Sequence, residues 1–232
     1  MGISERYHRN LGVFAEEELA LVREKSACVV GCGGLGGYVS VDLARFGVGK
    51  LTLIDGDNFC TSNLNRQLFS TELNLGQNKA VIAMEELKNI NSEVTVTAHQ
   101  VMLDKENAPE LLKGHDIIID CLDNIATRRI LAKTCAVLEI PLVHGAVSGL
   151  YGQVACIYPG DGLMDILYPS GYKDSLYKTA GNPIFVPQLI ASIQSCEAVK
   201  LLAGRQSDLR SRVLYADMME HDYEIVEFLS DK

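Results

Sequence analysis

Three glycines and a few charged side chains carry most of the chemistry that this sequence can do. Gly31, Gly33 and Gly36 stand as G-x-G-x-x-G within the stretch VGCGGLGG, between an apolar run and a segment of helical apolar spacing. Glycines there permit a tight turn, let backbone N–H groups approach a phosphate, and open a helix whose N-terminus favours negative charge. The same motif serves NAD, FAD and ATP folds, so it marks a phosphate cradle without choosing the nucleotide. Asp55 ends the next apolar run, LTLID. It falls at about the 20-residue interval where an acidic side chain takes ribose hydroxyls. Asp55-Gly56-Asp57 is also good turn sequence, but the glycine loop and Asp55 support each other, which favours ribose binding.

The choice of nucleotide rests on the residues that follow. Thr61-Ser62-Asn63-Leu64-Asn65-Arg66-Gln67 supplies Arg66, and Lys79 comes after Gly76 at the start of a helical segment. A dehydrogenase is indifferent to such cations. Two of them near one glycine loop suit a triphosphate better than a diester pyrophosphate, because Arg grips phosphate oxygens as a planar fork and Lys acts as a point charge. Each alone is more often a solvated surface charge; it is their joint occurrence that points to ATP. Asp123 follows the run Ile117–Asp120, and open α/β sheets bind ligands at the carboxyl ends of their strands. Asp123 is therefore placed to hold Mg2+ between phosphates, since magnesium takes one or two carboxylates plus phosphate oxygens. The competing role there is a helix N-cap, which Asn124 could equally supply.

These residues need elements to position them. Apolar spacing predicts a helix over 16–24, a buried strand over 27–31, a helix over 35–46 closed by Gly47, and a strand over 51–55. That succession is a βαβ unit with a right-handed crossover. Helix 77–90, strand 94–98, strand 117–119, helix 125–138 and strand 142–144 continue the alternation. The first half therefore reads as a doubly wound α/β sheet. Strand 153–158 has no helix before it, so it is expected to pair antiparallel with 142–146. Residues 160–183 show no period and read as a long crossing loop, and loops of that length are often functional. Helix 185–203 and a closing hairpin of 213–216 with 223–228 complete the chain. The expectation is one domain over 1–232, with a nucleotide-binding half at 1–150 and the crossing loop, helix and closing strands at 151–232. Its sheet is Rossmann-like, mostly parallel, with antiparallel strands in the C-terminal part.

Composition narrows the field. Among 232 residues, 47% are hydrophobic and 22% charged, ordinary for a globular protein. A net charge of −9 speaks against coating nucleic acid. No apolar run is long enough to span a bilayer, and the N-terminus MGISERYHRN has no signal-peptide core. Gly2 invites myristoylation, but Arg6 stands where that signal needs Ser or Thr. The expected location is cytoplasmic. The seven cysteines, none spaced C-x-x-C, read as reduced thiols that mostly pack as small hydrophobes. Cys32, inside the loop, reads as a small spacer. The five histidines form no metal spacing, and His144, at a strand end near the expected site, reads as structural.

VGCGGLGG, LTLIDGD, SNLNRQ, GQNKA and DCLDN, in this order and at these spacings, resemble the ubiquitin-activating-enzyme superfamily, in particular the branch of the bacterial ThiF, MoeB and HesA proteins. The resemblance covers roughly residues 5–205, from RYHRN to the late helix ending EAVKLLAG. It implies adenylation of the C-terminal Gly-Gly carboxylate of a small ubiquitin-like or sulfur-carrier protein, with ATP and Mg2+. It also implies roles: Gly31, Gly33 and Gly36 line the nucleotide loop, Asp55 binds ribose, Asn63, Arg66 and Lys79 contact phosphates, and Asp123 holds magnesium. In related proteins an arginine of the R-Y-x-R segment reaches into the partner's site of a homodimer. Arg9 matches it, which implies shared active sites.

The sequence also departs from that family. Many relatives carry two C-x-x-C pairs for structural zinc, and where the first is expected this chain reads Leu163-Met164-Asp165-Ile166-Leu167-Tyr168. No zinc is expected. Residues 160–183 contain no Cys for a thioester or persulfide step, and Cys196 lies in the apolar helix 185–203, where packing is the expected role. Adenylation without covalent thiol catalysis follows, with a separate sulfur donor in trans. The competing readings are activation of a small-molecule or tRNA-bound carboxylate, an NAD(P)-dependent oxidoreductase, and a non-catalytic scaffold. The oxidoreductase leaves Arg66, Lys79 and Asp123 unexplained; the scaffold gives them no task.

Overall fold

The computed structural model describes residues 2–172 and 181–228. Five strands form the parallel part of the sheet: β1 (Ser26–Val30), β2 (Lys50–Ile54), β3 (Thr95–His99), β4 (Ile117–Asp120) and β5 (Leu142–Ser148). β6 (Tyr151–Ile157), β7 (Arg212–Asp217) and β8 (Asp222–Glu227) add antiparallel strands on one side. The order across the sheet is β3-β2-β1-β4-β5-β6-β7-β8. The winding reverses between β1 and β4, which pair in parallel from Ala27↔Ile117 to Val30↔Asp120. In open α/β sheets a crevice opens at such a reversal, outside the strand carboxyl ends.

Helices cover both faces: α1 (Glu16–Glu24), α2 (Gly36–Phe46), α3 (Lys79–Ile90), α4 (Ala108–Leu112), α5 (Ile125–Val137), α6 (Leu163–Leu167) and α7 (Phe185–Leu202). Side chains alternate across a strand, so β1 sends Ala27 and Val29 to one core and Cys28 and Val30 to the other. α2, α3 and α7 close the first core through Leu43, Leu87 and Ile190. α4, α5 and α6 close the second through Leu112, Leu131 and Leu163. A strand covered on both faces needs an unbroken apolar run, which is why the IIID of β4 is buried at all four positions. α7 lies close on the sheet because β6 has Gly152 beneath it; a Cβ there would sit 2.3 Å from Ile190 Cγ1.

The doubly wound, mostly parallel sheet with antiparallel C-terminal strands agrees with the sequence reading. One segment differs. Residues 160–172 are not a featureless loop, since α6 buries Leu163 and Met164, and Tyr168 just beyond it is 1% exposed. A single turn with two buried anchors is too short to show a helical period, so periodicity does not reveal it. The same applies to α4, which starts beside Pro109. Residues 173–180 of the expected crossing loop lie outside the described residues. Among those described, no helix is long and apolar enough to cross a membrane.

Candidate active site

The glycine loop begins where β1 ends. The Gly31 N–H donates to the Ile54 carbonyl at 2.8 Å, tying the loop to β2. Gly31 has φ +93°, and a Cβ on it would lie 2.6 Å from the Cys121 carbonyl oxygen. A Cβ on Gly36 would lie 1.8 Å from the Gly31 carbonyl oxygen. These two glycines are therefore needed for the backbone to fold back on itself and meet the end of β4. Gly33 differs, because its Cβ would meet only the flexible Gln67 side chain, with Nε2 at 3.3 Å.

Asp55 staples this loop to the next one. One carboxylate oxygen accepts the Cys32 N–H at 2.7 Å and the other accepts the Asp57 N–H at 2.8 Å. Burial raises the Asp55 carboxyl against those two hydrogen bonds. Asn78 locks the same turn from the other side. Its Oδ1 accepts the Val81 N–H and caps α3, while its Nδ2 donates to the Asp55 and Asp57 carbonyls at 3.0 and 2.9 Å. Lys79, next in the chain and 8% exposed, pairs with Asp57 at 3.1 Å. Motif spacing passes over Asn78, although an Asn directly before a helix is an N-cap signal.

Gly31, Gly33, Asp55, Arg66, Lys79 and Asp123 all line one cavity of about 340 Å3 at the β1/β4 reversal. Ligand clefts commonly span roughly 300–1,000 Å3. Val101, Met102 and Leu103 give it an apolar wall that sequence spacing does not reveal. The Arg66 guanidinium donates to the Ser62 carbonyl and to Asn65 Oδ1, both at 2.9 Å. At the loop after β4, Asn124 Oδ1 accepts the Thr127 N–H at 2.9 Å. Asn124 thus takes the α5 cap, and exposed Asp123 is left to face the cavity.

Three expected site residues lie elsewhere. Gly36 is buried behind the loop and serves its shape. Asn63 is 6% exposed and absent from the cavity wall. Its Oδ1 accepts the Cys60 N–H at 3.0 Å and its carbonyl accepts the N–H groups of Arg66 and Gln67, so it builds the turn that presents Arg66. Arg9 sits exposed in the 3-10 helix Glu5–Asn10, away from this chain's cavity.

The thiols divide into two sets. Burial drives the Cys32 thiol well above its ordinary value and the Asp55 charge adds to that, which disfavours the thiolate and fits a packing role for this 1% exposed side chain. Cys60 and Cys196 are exposed, whereas Cys28, Cys32, Cys121, Cys135 and Cys156 are buried. The packing role expected for Cys196 is therefore incorrect: α7 is apolar nearly all round, so periodicity could not reveal its outward face. Brief treatment with a maleimide should add two labels to the folded protein and five more after denaturation. An intact-mass spectrum with Cys196 unlabelled would contradict this arrangement.

A doubly wound α/β sheet with a glycine loop and two cations at its reversal defines a class of nucleotide-site architecture. Comparison with known proteins places the chain within that class: it belongs to the ThiF family, whose model matches residues 7–232. It is 33% identical to the adenylyltransferase and sulfurtransferase MOCS3-2 of Zea mays over 228 residues, covering 96% of this chain and 47% of that protein. It is 34% identical to the SAMP-activating enzyme E1 of Haloferax volcanii over 203 residues, covering 86% of this chain and 75% of that protein. The chain thus spans about half the length of its MOCS3 relatives. Among solved structures, E. coli MccB with AMPCPP and MccA superposes with a TM-score of 0.84 at 22% identity, over 97% of this chain and 71% of that one, a likeness of fold.

Proposed function

We propose that this chain is an adenylyltransferase that activates the C-terminal carboxylate of a small ubiquitin-like or sulfur-carrier protein ending in Gly-Gly, using ATP and Mg2+. The observation that carries the reading is the convergence of Arg66, Lys79 and Asp123 on one cavity beside the glycine loop. Family membership and the names of the MOCS3 and SAMP-activating relatives support it. The donor set fits a magnesium nucleotide: an exposed carboxylate at Asp123, Arg66 and the Asp57-paired Lys79 for phosphate oxygens, and Asp55 beside an apolar wall where ribose and base would lie.

In this reading a carrier carboxylate oxygen attacks the α-phosphorus, the bond to the bridging oxygen breaks, and pyrophosphate leaves. The step moves no proton and needs no side-chain nucleophile. Gly31 and Gly33 would bring the backbone against the phosphates, Arg66 and Lys79 would hold the oxygens on which charge builds, and Asp123 would hold magnesium. Magnesium held there would supply charge neutralisation for the phosphates. Arg9 is assigned to the site of the second copy in a homodimer, and the sulfur donor is a separate protein. The chain acts as one adenylation unit, in the cytoplasm and without zinc.

ATP–pyrophosphate exchange with carriers of the thiamine and molybdopterin types tests the proposal. Exchange that depends on the carrier and disappears when its Gly-Gly is removed is the expected result. Tight ATP binding with no exchange for any carrier would replace it with small-molecule activation. Enhanced fluorescence of a reduced nicotinamide on binding would replace it with redox chemistry.

A further inference from the structure

A second group of buried polar side chains lies directly beneath the loop that carries Asp123, and the proposed chemistry does not use it. Asp120 ends β4, Arg128 is on α5, His144 on β5, Gln153 on β6, and Tyr168 follows α6. Asp120 and His144 are 0% exposed and Arg128 is 7% exposed. Burying ionised groups is costly unless each finds a partner, and here the charges are paired, although Arg128 Nε makes no hydrogen bond among the described residues. Asp120 Oδ1 accepts the Leu122 N–H at 3.0 Å, and Oδ2 meets His144 Nδ1 at 2.7 Å and Arg128 Nε across 3.6 Å. Arg128 Nη2 donates to the Leu122 carbonyl and, at 3.0 Å, to the Gly145 carbonyl. Arg128 Nη1 donates to the Tyr168 hydroxyl at 2.8 Å.

The proton inventory then closes on Tyr168. Its oxygen accepts from Arg128 and, at 3.0 Å, from Gln153 Nε2, while His144 Nε2 faces two donors, the Tyr168 hydroxyl at 3.1 Å and Gln153 Nε2 at 3.0 Å. That arrangement requires a neutral His144 with its proton on Nδ1, the nitrogen facing Asp120. Burial, outweighing the Asp120 hydrogen bond, lowers the His144 ring from its ordinary value in the same direction. For Asp120, burial acts to raise the carboxyl, but the Arg128 charge and the His144 hydrogen bond hold it below its ordinary range.

Two consequences follow from the connectivity. Leu122, the residue before Asp123, is gripped at both ends of its backbone, its N–H by Asp120 and its carbonyl by Arg128. The Arg128 fork is in turn held by a hydroxyl from the crossing segment, whose backbone is also clasped: Arg129 Nη2 donates to the Tyr168 and Pro169 carbonyls at 2.8 and 2.6 Å. We propose that Tyr168 is a positioning residue for Asp123: its hydroxyl sets the Arg128 guanidinium that holds Leu122, so docking of residues 168–169 and placement of the Asp123 carboxylate are coupled. This rests on the reading of Asp123 as the magnesium carboxylate, but the coupling itself is a property of the chain and can be measured without nucleotide.

Tyr168→Phe removes one hydroxyl and keeps the ring edge-on against His144, with ring centroids 5.6 Å apart. In the nucleotide-free protein, amide exchange at Leu122 should quicken on the order of 10-fold, with β1 amides unchanged. The magnesium concentration that half-saturates ATP binding should rise by about the same factor, while ATP binding without magnesium stays constant. On an Asp123→Ala background Tyr168→Phe should add nothing to that shift, the signature of a shared path. Unchanged exchange at Leu122, or an equal effect on ATP binding with and without magnesium, overturns the proposal. If Tyr168→Phe does not fold, the same measurements on Arg128→Lys decide, since it keeps the charge but loses the fork. Absence of adenylation by the wild-type chain would refute the functional reading and leave the Leu122 exchange result to stand or fall separately.

Discussion

Arg66→Ala is expected to lower carrier-dependent pyrophosphate exchange by on the order of 100- to 1,000-fold, the loss typical of removing one preorganised donor to a developing anion. Its effect on stability should be small, within ~1 kcal/mol, because the side chain is partly exposed and, among the described residues, its guanidinium bonds the nearby Ser62 carbonyl and Asn65 carboxamide and no others. Asp123→Ala should behave alike, since Asn124 rather than Asp123 caps α5. Lys79 is a poorer probe. It is buried at the start of α3 and paired with the exposed Asp57, so Lys79→Ala would remove buried side-chain packing and mix folding with function. The check is exchange activity beside urea denaturation of the same samples. Activity within about threefold of wild type in Arg66→Ala, far short of the loss expected for such a donor, would remove Arg66 from the reaction.

The largest effect on stability is expected from Gly36→Ala, a loss of about 3 kcal/mol or more. Its new methyl would stand 1.8 Å from the Gly31 carbonyl oxygen and 3.3 Å from Cys121 Cβ. Neither the start of α2 nor the end of β1 can yield without disturbing the sheet, because Gly31 is bonded to Ile54 and Cys121 to Val30. Gly33→Ala makes a sharp contrast. Its methyl meets a side-chain amide that can rotate away, so the fold should hold while the methyl intrudes on the cavity and weakens ATP binding. Denaturation midpoints measure the first, and calorimetric ATP titration the second. Equal midpoints for Gly36→Ala and wild type would show that the loop is softer than its geometry implies.

Both predictions use residues that the sequence singles out, yet for reasons that the sequence only partly contains. The glycine motif announces a phosphate cradle, but a motif treats its glycines alike. Here Gly31 and Gly36 answer to backbone crowding, and Gly33 to the cavity. Family resemblance puts Asn63 at the phosphates; in this chain its carboxamide closes a local turn behind the wall. Asp123 and Asn124 are rivals for one cap in the sequence, and the bond to Thr127 assigns it to Asn124.

What the sequence determined by itself is what local periodicity and spacing encode. Alternating apolar runs specified the doubly wound sheet, and the interval from the glycine loop to Asp55, Arg66, Lys79 and Asp123 singled out two cations and two carboxylates that meet in one crevice. Those signals arise within single elements or between successive ones, where the chain's own geometry sets distances. The tertiary structure decided everything that depends on elements meeting after the chain returns. Only packing shows that Cys196 faces outward from an apolar helix, or that α6 is anchored at all. Only packing brings Arg128 to the hydroxyl of Tyr168, 40 positions away, and both beneath the loop of Asp123. No period links such residues, because their contact is selected by burial of unlike elements against one another rather than by any repeat along the chain.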